Sequence, residues 1–307
     1  MLDVRRMRLL REVATRGTIS AAAEALSFTP SAVSQQIAAL EREAGVALVE
    51  RGPRSVRLTE AGRALVEHTD AILARIRAAE EDIQAIAGLR RGTLRLTSFP
   101  TAYATIVPSA INELRRRHPG IELELTEADP LAGCRQLKTG DVDIALVYEY
   151  DYVPLPNDDA IELVHLLDDP ISALLPYAHP AARKRKVRLI DLSEDAWITS
   201  TARSSCHSFV ARACRAAGFT PTITMESDDH GVWQGLVAAG VGVALASELS
   251  LPSVHPGVAI RPISPKPLGR RIYAAHRIGA ARSPAIAQVV ALLAEAAATR
   301  LPYAATA

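Results

Sequence analysis

Two short helical patterns meet at Ser27-Phe28-Thr29-Pro30-Ser31, and this junction constrains the N-terminal fold more than any other stretch. Thr29 can cap a new helix, and Pro30 falls at its first position, where a missing N–H costs little. Upstream, Met7, Leu10 and Ala14 recur at i, i+3, i+7 and predict a helix over about 3–16. Gly17 closes it, Thr18 is a plausible N-cap, and Ala21, Ala22, Ala25 and Leu26 give a second helix with a small apolar face. Downstream, Val33, Ile37 and Leu40 form a buried stripe. The opposite face holds Ser31, Ser34, Gln35 and Gln36, with no acid before Glu41. Gln can pair with adenine through two hydrogen bonds, and Ser can donate or accept. Such a pair of helices is a helix-turn-helix, although a helical hairpin with a solvated polar face fits the same pattern. The next residues favour the first reading. Val46-Ala47-Leu48-Val49 and Val56-Arg57-Leu58 are strand-like and flank a basic turn, Glu50-Arg51-Gly52-Pro53-Arg54-Ser55. Arginines 51, 54 and 57 on such a wing can hold a phosphate backbone or enter a minor groove.

A long helix follows. Thr59 can cap it, and it runs to about Gly88, ~44 Å at 1.5 Å per residue. Leu65, Ile72, Ala79 and Ile86 recur every seven residues, with Thr69, Ile76 and Ile83 at the alternate spacing. Arg75, Arg77, Glu80, Glu81 and Asp82 leave only a narrow apolar stripe. A helix packed on its own domain is one reading, and a narrow seam suits a partner helix.

From Gly92 strand-like and helix-like runs alternate, the mark of an α/β region. Strands are predicted at 93–97, 121–126, 142–148, 161–166, 170–176, 196–200, 222–226, 241–246, 258–263 and 270–276. Helices are predicted at 100–118, 130–139, 204–217, 229–239 and 283–299. Ligands in open α/β sheets lie beyond the carboxyl ends of strands, near helix N-termini. Ser98-Phe99-Pro100-Thr101 and Thr199-Ser200-Thr201 occupy such positions, so Ser98, Thr101, Ser200 and Thr201 are candidate ligand contacts, with Thr126 a further one. Helix capping is the competing role for these hydroxyls.

Composition excludes several classes. At 307 residues the chain holds about two domains. Its net charge of +1 supplies no global field, yet residues 1–66 carry 10 basic and 7 acidic groups, the sign expected of a part that meets phosphate. Three Cys make no disulfide framework and no C-x-x-C occurs, as a reducing cytoplasm would allow. Cys206 and Cys214 fall on one predicted helix ~12 Å apart, too far to bridge. The N-terminus has an acid at Asp3 and no apolar signal stretch. The apolar run from Gly235 to Ala246 is too short for a membrane span and reads as a buried strand. There is no G-x-S-x-G, no P-loop and no paired Cys/His spacing, and no cofactor or metal is called for. An enzyme on the α/β region would need a catalytic set that the sequence does not display. A stand-alone solute-binding module conflicts with the wing and the missing signal.

The runs Ile19-Ser20-Ala21-Ala22-Ala23-Glu24-Ala25-Leu26, Ser34-Gln35-Gln36-Ile37, Leu48-Val49-Glu50-Arg51 and Leu58-Thr59-Glu60-Ala61-Gly62 resemble those of LysR-type transcriptional regulators. The likeness is specific to about residue 65 and order-preserving to about 298. One departure is Pro30-Ser31, where many members have Gln-Pro. The resemblance implies a fold of class α/β in three parts: a winged helix-turn-helix over 1–59, a linker and dimerisation helix over 60–90, and a two-lobed effector domain over 91–300, like a substrate-binding protein. The lobes would be about 91–167 with 268–300, and 168–267. It further implies that Thr29, Ser31, Ser34, Gln35, Gln36, Arg51 and Arg54 face DNA, and that Leu65, Ile72, Ile76, Ile83 and Ile86 pair two subunits. The implied partners are double-stranded DNA, a small-molecule effector, a second copy in a homodimer or homotetramer, and RNA polymerase. The implied location is the cytoplasm, without a membrane, and the implied role is not enzymatic.

Overall fold

The computed structural model describes residues 1–52, 56–86, 92–202 and 204–299. The chain falls into two compact units, one built on Met1–Ile86 and a larger one holding the later elements.

The first unit contains α1 (Val4–Arg16), α2 (Ile19–Ala25), α3 (Pro30–Ala44), a hairpin of β1 (Val49–Arg51) and β2 (Val56–Leu58), and α4 (Glu60–Ile86). Each of the first three helices starts on a side-chain cap, at Thr18 and Thr29 as expected and at Asp3 as well. The Asp3 carboxylate accepts from the Arg5 and Arg6 amides, Thr18 Oγ1 from Ala21 and Thr29 Oγ1 from Ala32. Met7, Leu10, Val13, Ala22, Val33, Ile37, Leu40 and Leu48 close one core. Glu41 holds the wing to α3: its Oε1 accepts from the amides of Leu48 (2.9 Å) and Val49 (3.2 Å). The wing tip, with Pro53, Arg54 and Ser55, lies outside the described residues. Gly62 is where α4 approaches the wing: a Cβ there would stand 2.0 Å from the Leu48 carbonyl oxygen. Neither backbone can yield cheaply. Gly62→Ala is therefore expected to cost about 1–3 kcal/mol, read as a lower melting temperature of the N-terminal unit.

The larger unit contains β3 (Gly92–Ser98), α5 (Pro100–Thr105), α6 (Val107–Arg117), β4 (Ile121–Glu127), α7 (Pro130–Lys138), β5 (Ile144–Tyr150), β6 (Ile161–Pro176), β7 (Val187–Arg188) and β8 (Ala196–Thr199). After these come α8 (Ser205–Ala216), β9 (Thr222–Glu226), α9 (His230–Ala238), β10 (Ala244–Ser247), β11 (Val258–Ser264), β12 (Leu268–Arg277) and α10 (Pro284–Thr299). The main sheet runs β4-β3-β5-β12-β6-β11-β7, with β10 on the other edge of β6. Strands β8 and β9 form a separate parallel pair. The first lobe closes over Leu96, Ile106, Leu114, Ile144, Ile272, Ile286 and Leu293. The second closes over two clusters, one around Trp197 and Phe209 and one around Ile198 and Trp233.

Three expectations are corrected. The predicted strands 161–166 and 170–176 are one 16-residue strand, β6, which enters both lobes. Pro170 is accommodated within it, although proline removes a ladder donor. The predicted helix 100–118 is two helices that break at Ile106, because Pro108 has no amide for the preceding turn. The apolar run from Gly235 is the end of α9, a turn and then β10, rather than one strand. Gly240 (φ +78°) makes the turn, and Gly242 lies so close to the Ala196 carbonyl that a Cβ would meet its oxygen at 2.5 Å.

Candidate functional site

The polar face of α3 is built by its buried stripe. Val33, Ile37 and Leu40 are each fully buried, which turns Ser31 and Gln35 outward. Thr29 and Ser31 are exposed, and their hydroxyls lie 3.1 Å apart. Thr29 also caps the helix, so one side chain both starts the helix and marks its exposed end. Ser34 is half-buried. Gln36 is turned toward α1, where its Oε1 accepts a 2.9 Å hydrogen bond from Arg6 Nε. Arg6 in turn pairs with Glu43. Gln36 therefore braces α3 within the domain and is set apart from Ser31 and Gln35. Helical spacing alone could not separate these roles, because the partner Arg6 is thirty residues away. Arg51 ends β1, opposite Val56. Its side chain, and Arg54 entirely, lie outside the described residues.

The seam of α4 divides. Ile72, Ile76 and Ile83 are exposed, Ile83 by 67%. Leu65 is not: it is 9% exposed and packs in the core of its own unit, beside Met7 and Leu10. This corrects its assignment to the partner-facing seam. The cause is α1, which crosses the first turns of α4 and pairs Arg11 with Asp70 at 2.8 Å. Thr69 is fully buried for the same reason. The Ile86 side chain lies outside the described residues.

The candidate contacts of the larger unit are mostly buried. Ser98 is fully buried and Thr101 is 7% exposed. Ser200, 5% exposed, shares a hydrogen bond with the Ser204 hydroxyl that caps α8. Thr201 is exposed and holds Asp228 through its amide (3.0 Å) and hydroxyl (3.0 Å). Thr126 is exposed on the edge strand β4, and its carbonyl accepts from Thr97 and Tyr103. Thr101 is linked through Arg270 to the strands that join the lobes, whereas Thr126 and Thr201 are tied within their own lobes.

Sequence reasoning missed the centre of this arrangement, the buried pair Arg270–Asp169. Arg270 Nε donates to Asp169 Oδ2 at 2.7 Å, and the two side chains are 3% and 0% exposed. Arg270 Nη2 donates to Thr101 Oγ1 at 2.8 Å, on the first lobe. Asp169 Oδ1 accepts from the Leu249 amide at 3.0 Å, in the turn after β10, and the Leu249 side chain packs in the core of the first lobe. A single relay thus runs from α5 to the turn after β10. The guanidinium lies 4.8 Å from the Tyr148 ring centre and 5.2 Å from that of Phe99. Tyr148 meets Phe99 and Tyr150 edge-on, and Tyr150 stacks on Phe209. Burial works against the charge of Arg270, but Asp169 together with Tyr150 and Tyr148 more than offsets it, and the guanidinium stays charged. Burial pushes both tyrosine hydroxyls up, so they remain neutral, and that of Tyr148 accepts from Ser205 Oγ at 3.3 Å. The available sequence signal was slight: an Arg and an Asp at inward positions of strands otherwise rich in apolar residues.

His230, at the start of α9, faces the same region. Burial first and Arg270 second lower its pKa to about 4, against partial opposition from Asp229, Asp228 and Asp169. The folded protein favours the neutral ring. That contribution is complete above the unfolded value of about 6.5 and is lost as pH falls through about 4. At about 1.4 kcal/mol per unit this amounts to about 3 kcal/mol. Urea unfolding from pH 7 to 4 should show that decline, and His230→Asn should flatten it. Glu113 and Asp191, each held down to about 2 by hydrogen bonds from arginine, titrate below that window.

Cys206 and Cys214 both lie on α8 as free thiols, and burial pushes Cys214 up to about 12. Among the described residues, no group of three or more His, Cys, Asp or Glu could hold a metal ion. No helix there is long and apolar enough to cross a membrane.

Comparison with known proteins places both units. Residues 4–63 match the model of the bacterial regulatory helix-turn-helix protein, lysR family, and residues 87–298 match the LysR substrate binding domain. The transcriptional dual regulator GltC of Bacillus subtilis is 32% identical over 262 residues, 85% of this chain and 85% of that protein. The HTH-type transcriptional regulator ShiR of Corynebacterium glutamicum is 32% identical over 250 residues, 80% and 83% of the two chains. Among solved structures, a full-length OxyR variant from Pseudomonas aeruginosa has a TM-score of 0.69 at 23% identity, covering 96% of this chain and 98% of that one. CbnR in complex with its target DNA has a TM-score of 0.61 at 21% identity, covering 96% and 100%.

Proposed function

Because the chain belongs to the LysR family of DNA-binding transcriptional regulators with an effector-binding C-terminal domain, we propose that α3 reads operator bases, that α4 pairs two copies, and that a small molecule between the lobes controls binding. Its relatives are regulators, and it is a regulator and not an enzyme. The observation that supports the base-reading role is the outward face of α3: Ser31 and Gln35 are exposed, uncharged hydrogen-bonding groups over a fully buried stripe. Thr29, Ser31, Ser34 and Gln35 contact the major groove, while Arg51 and Arg54 on the wing hold phosphate or the minor groove. Gln36 supports them from behind through Arg6. The working boundaries are 1–59 for DNA binding, 60–90 for the linker helix and 91–300 for the effector domain. Pairing through Ile72, Ile76 and Ile83 gives a homodimer with two recognition helices for two half-sites, and dimers can assemble further into a homotetramer. The protein acts in the cytoplasm, with RNA polymerase as a partner at the promoter. Effector binding shifts the balance between lobe arrangements only as far as its affinities for them differ.

Fluorescence anisotropy on the duplex upstream of the protein's own gene, at several salt concentrations and beside an unrelated duplex, tests this reading. Tighter binding to the upstream duplex that weakens steeply with salt is expected. Gln35→Ala should lower operator affinity about 10- to 100-fold with the fold retained, the loss of one good base contact. Arg54→Ala should weaken both duplexes and flatten the salt dependence by about one phosphate. If both variants bind as the wild type does, the recognition face is misassigned.

A further inference from the structure

The turn between α2 and α3 carries a side chain that the polar face of α3 leaves unused. Ser27, Phe28, Thr29, Pro30 and Ser31 are consecutive exposed residues at the leading end of α3. All but one are short. Phe28 is the large one, and it is 52% exposed. The other phenylalanines belong to the lobes of the larger unit: Phe99 and Phe209 are 3% and 1% exposed, and Phe219 packs against the core around Phe209. No acid lies between Glu24 and Glu41 in the sequence, so this stretch does not itself repel a phosphate backbone.

The backbone fixes this exposure. The Phe28 amide donates to the Ala23 carbonyl at 2.8 Å, and the Ser27 amide donates to that of Glu24 at 3.2 Å. Thr29 then starts α3 by accepting from the Ala32 amide. Between these bonds Ser27 takes φ +57°, a left-handed conformation that costs a serine some strain. Phe28 is thus tied to α2 before it and to α3 after it. Its ring is no part of the core that Met7, Val33 and Ile37 close. A rigidly presented aromatic ring therefore stands beside the exposed hydroxyls of Thr29 and Ser31.

We propose that Phe28 reads thymine, by packing its ring on the C5-methyl group of a thymine in the major groove. The inference rests on the reading of α3 as the base-reading helix, and it adds to that reading both a residue and a feature of the operator. The thymine methyl projects into the major groove and is the apolar feature among the base edges there. Ser31 and Gln35 are hydrogen-bonding groups, suited to the donors and acceptors of those edges. The readers divide accordingly: hydroxyls and amide recognise polar atoms, and Phe28 recognises a methyl. Phe28 precedes the helix while Gln35 lies in its second turn, so the two meet different base pairs.

The upstream duplex is made twice, once with thymine and once with deoxyuridine throughout, which keeps every base-pairing edge and removes only the methyl groups. The unrelated duplex is made in the same two forms. Anisotropy of full-length wild type and variants on these duplexes gives a double-mutant cycle. Wild type is expected to bind the deoxyuridine form of the upstream duplex about fourfold more weakly, the effect of one lost methyl contact. Phe28→Ala should bind the thymine form about tenfold more weakly than wild type does and show no further loss on the deoxyuridine form. Phe28→Leu keeps an apolar side chain and should retain part of the discrimination. Gln35→Ala should bind both forms more weakly and discriminate between them as wild type does. Equal wild-type affinity for the two forms would overturn the proposal, whatever the variants do. So would a Phe28→Ala protein that keeps the wild-type discrimination, since another residue then meets the methyls. If that variant also sediments differently, Phe28 belongs to a contact between copies instead. In each of these cases a loss of affinity in Gln35→Ala would leave base reading by α3 standing. Equal wild-type binding to the upstream and unrelated thymine duplexes would remove that reading and this proposal with it.

Discussion

Asp169→Ala is expected to remove about 3–5 kcal/mol from the stability of the two-lobed domain, measured by urea unfolding at pH 7. The size of the effect comes from what is left behind. Arg270 is 3% exposed and remains charged, so without Asp169 its charge is buried beside aromatic rings with Thr101 as its one side-chain hydrogen-bond partner among the described residues. The Leu249 amide also loses its acceptor. The pair itself adds much less net stability than this loss suggests, because both groups were desolvated to form it. Replacing both, with Asp169→Leu and Arg270→Met, should therefore recover most of the loss. A single-variant loss under about 1 kcal/mol would show that water reaches the pair and that the site is open in solution.

Ile76→Asp combined with Ile83→Asp should dissociate the protein into monomers and lower operator affinity by about 10²–10⁴. The two side chains are exposed, 41% and 67%, on the outer turns of α4, so a charge there costs the isolated chain little. Between paired helices the same charges would face each other in an apolar seam. The affinity loss follows from linkage: with two half-sites bound by one dimer, the second contact forms at a high effective concentration, which monomers lack. Sedimentation and anisotropy on the same samples separate the two effects. Dimers with unchanged affinity would mean that copies pair elsewhere. The matching change Leu65→Asp would mislead, since Leu65 is in the core and its substitution would unfold the N-terminal unit.

Local chemistry made the N-terminal unit legible. Caps at Thr18 and Thr29, the proline at position 30 and the stripe Val33, Ile37, Leu40 are all short-range signals, and each is found where the pattern put it. Errors arose where distant segments decide. The seven-residue repeat of α4 is real, but nothing in it shows that α1 covers Leu65 and leaves Ile72 bare. Gln36 and Gln35 are neighbours with the same chemistry, and only Arg6 separates a brace from an exposed reader. In the larger unit the strand-helix alternation gave the architecture. The ion pair escaped because its members are about one hundred residues apart, joined by the register of β6 and β12. Ser98 and Thr101 lie buried at the end of the first strand and the helix after it, Thr101 against Arg270, whereas Thr126 and Thr201 are exposed.

The continuity of β6 through both lobes has a mechanical consequence. Strand β12 pairs with it from Ile161 to Ile171, and β10 and β11 pair with it from Ile171 to Pro176. The lobes are thus joined by a hydrogen-bonded ribbon rather than by two slack threads. A ribbon resists swinging in its own plane and yields by twisting, with small changes shared over many residues. Any relative motion of the lobes is then spread along its whole length rather than concentrated at a hinge. A small change of twist at the middle of that ribbon therefore moves both of its ends.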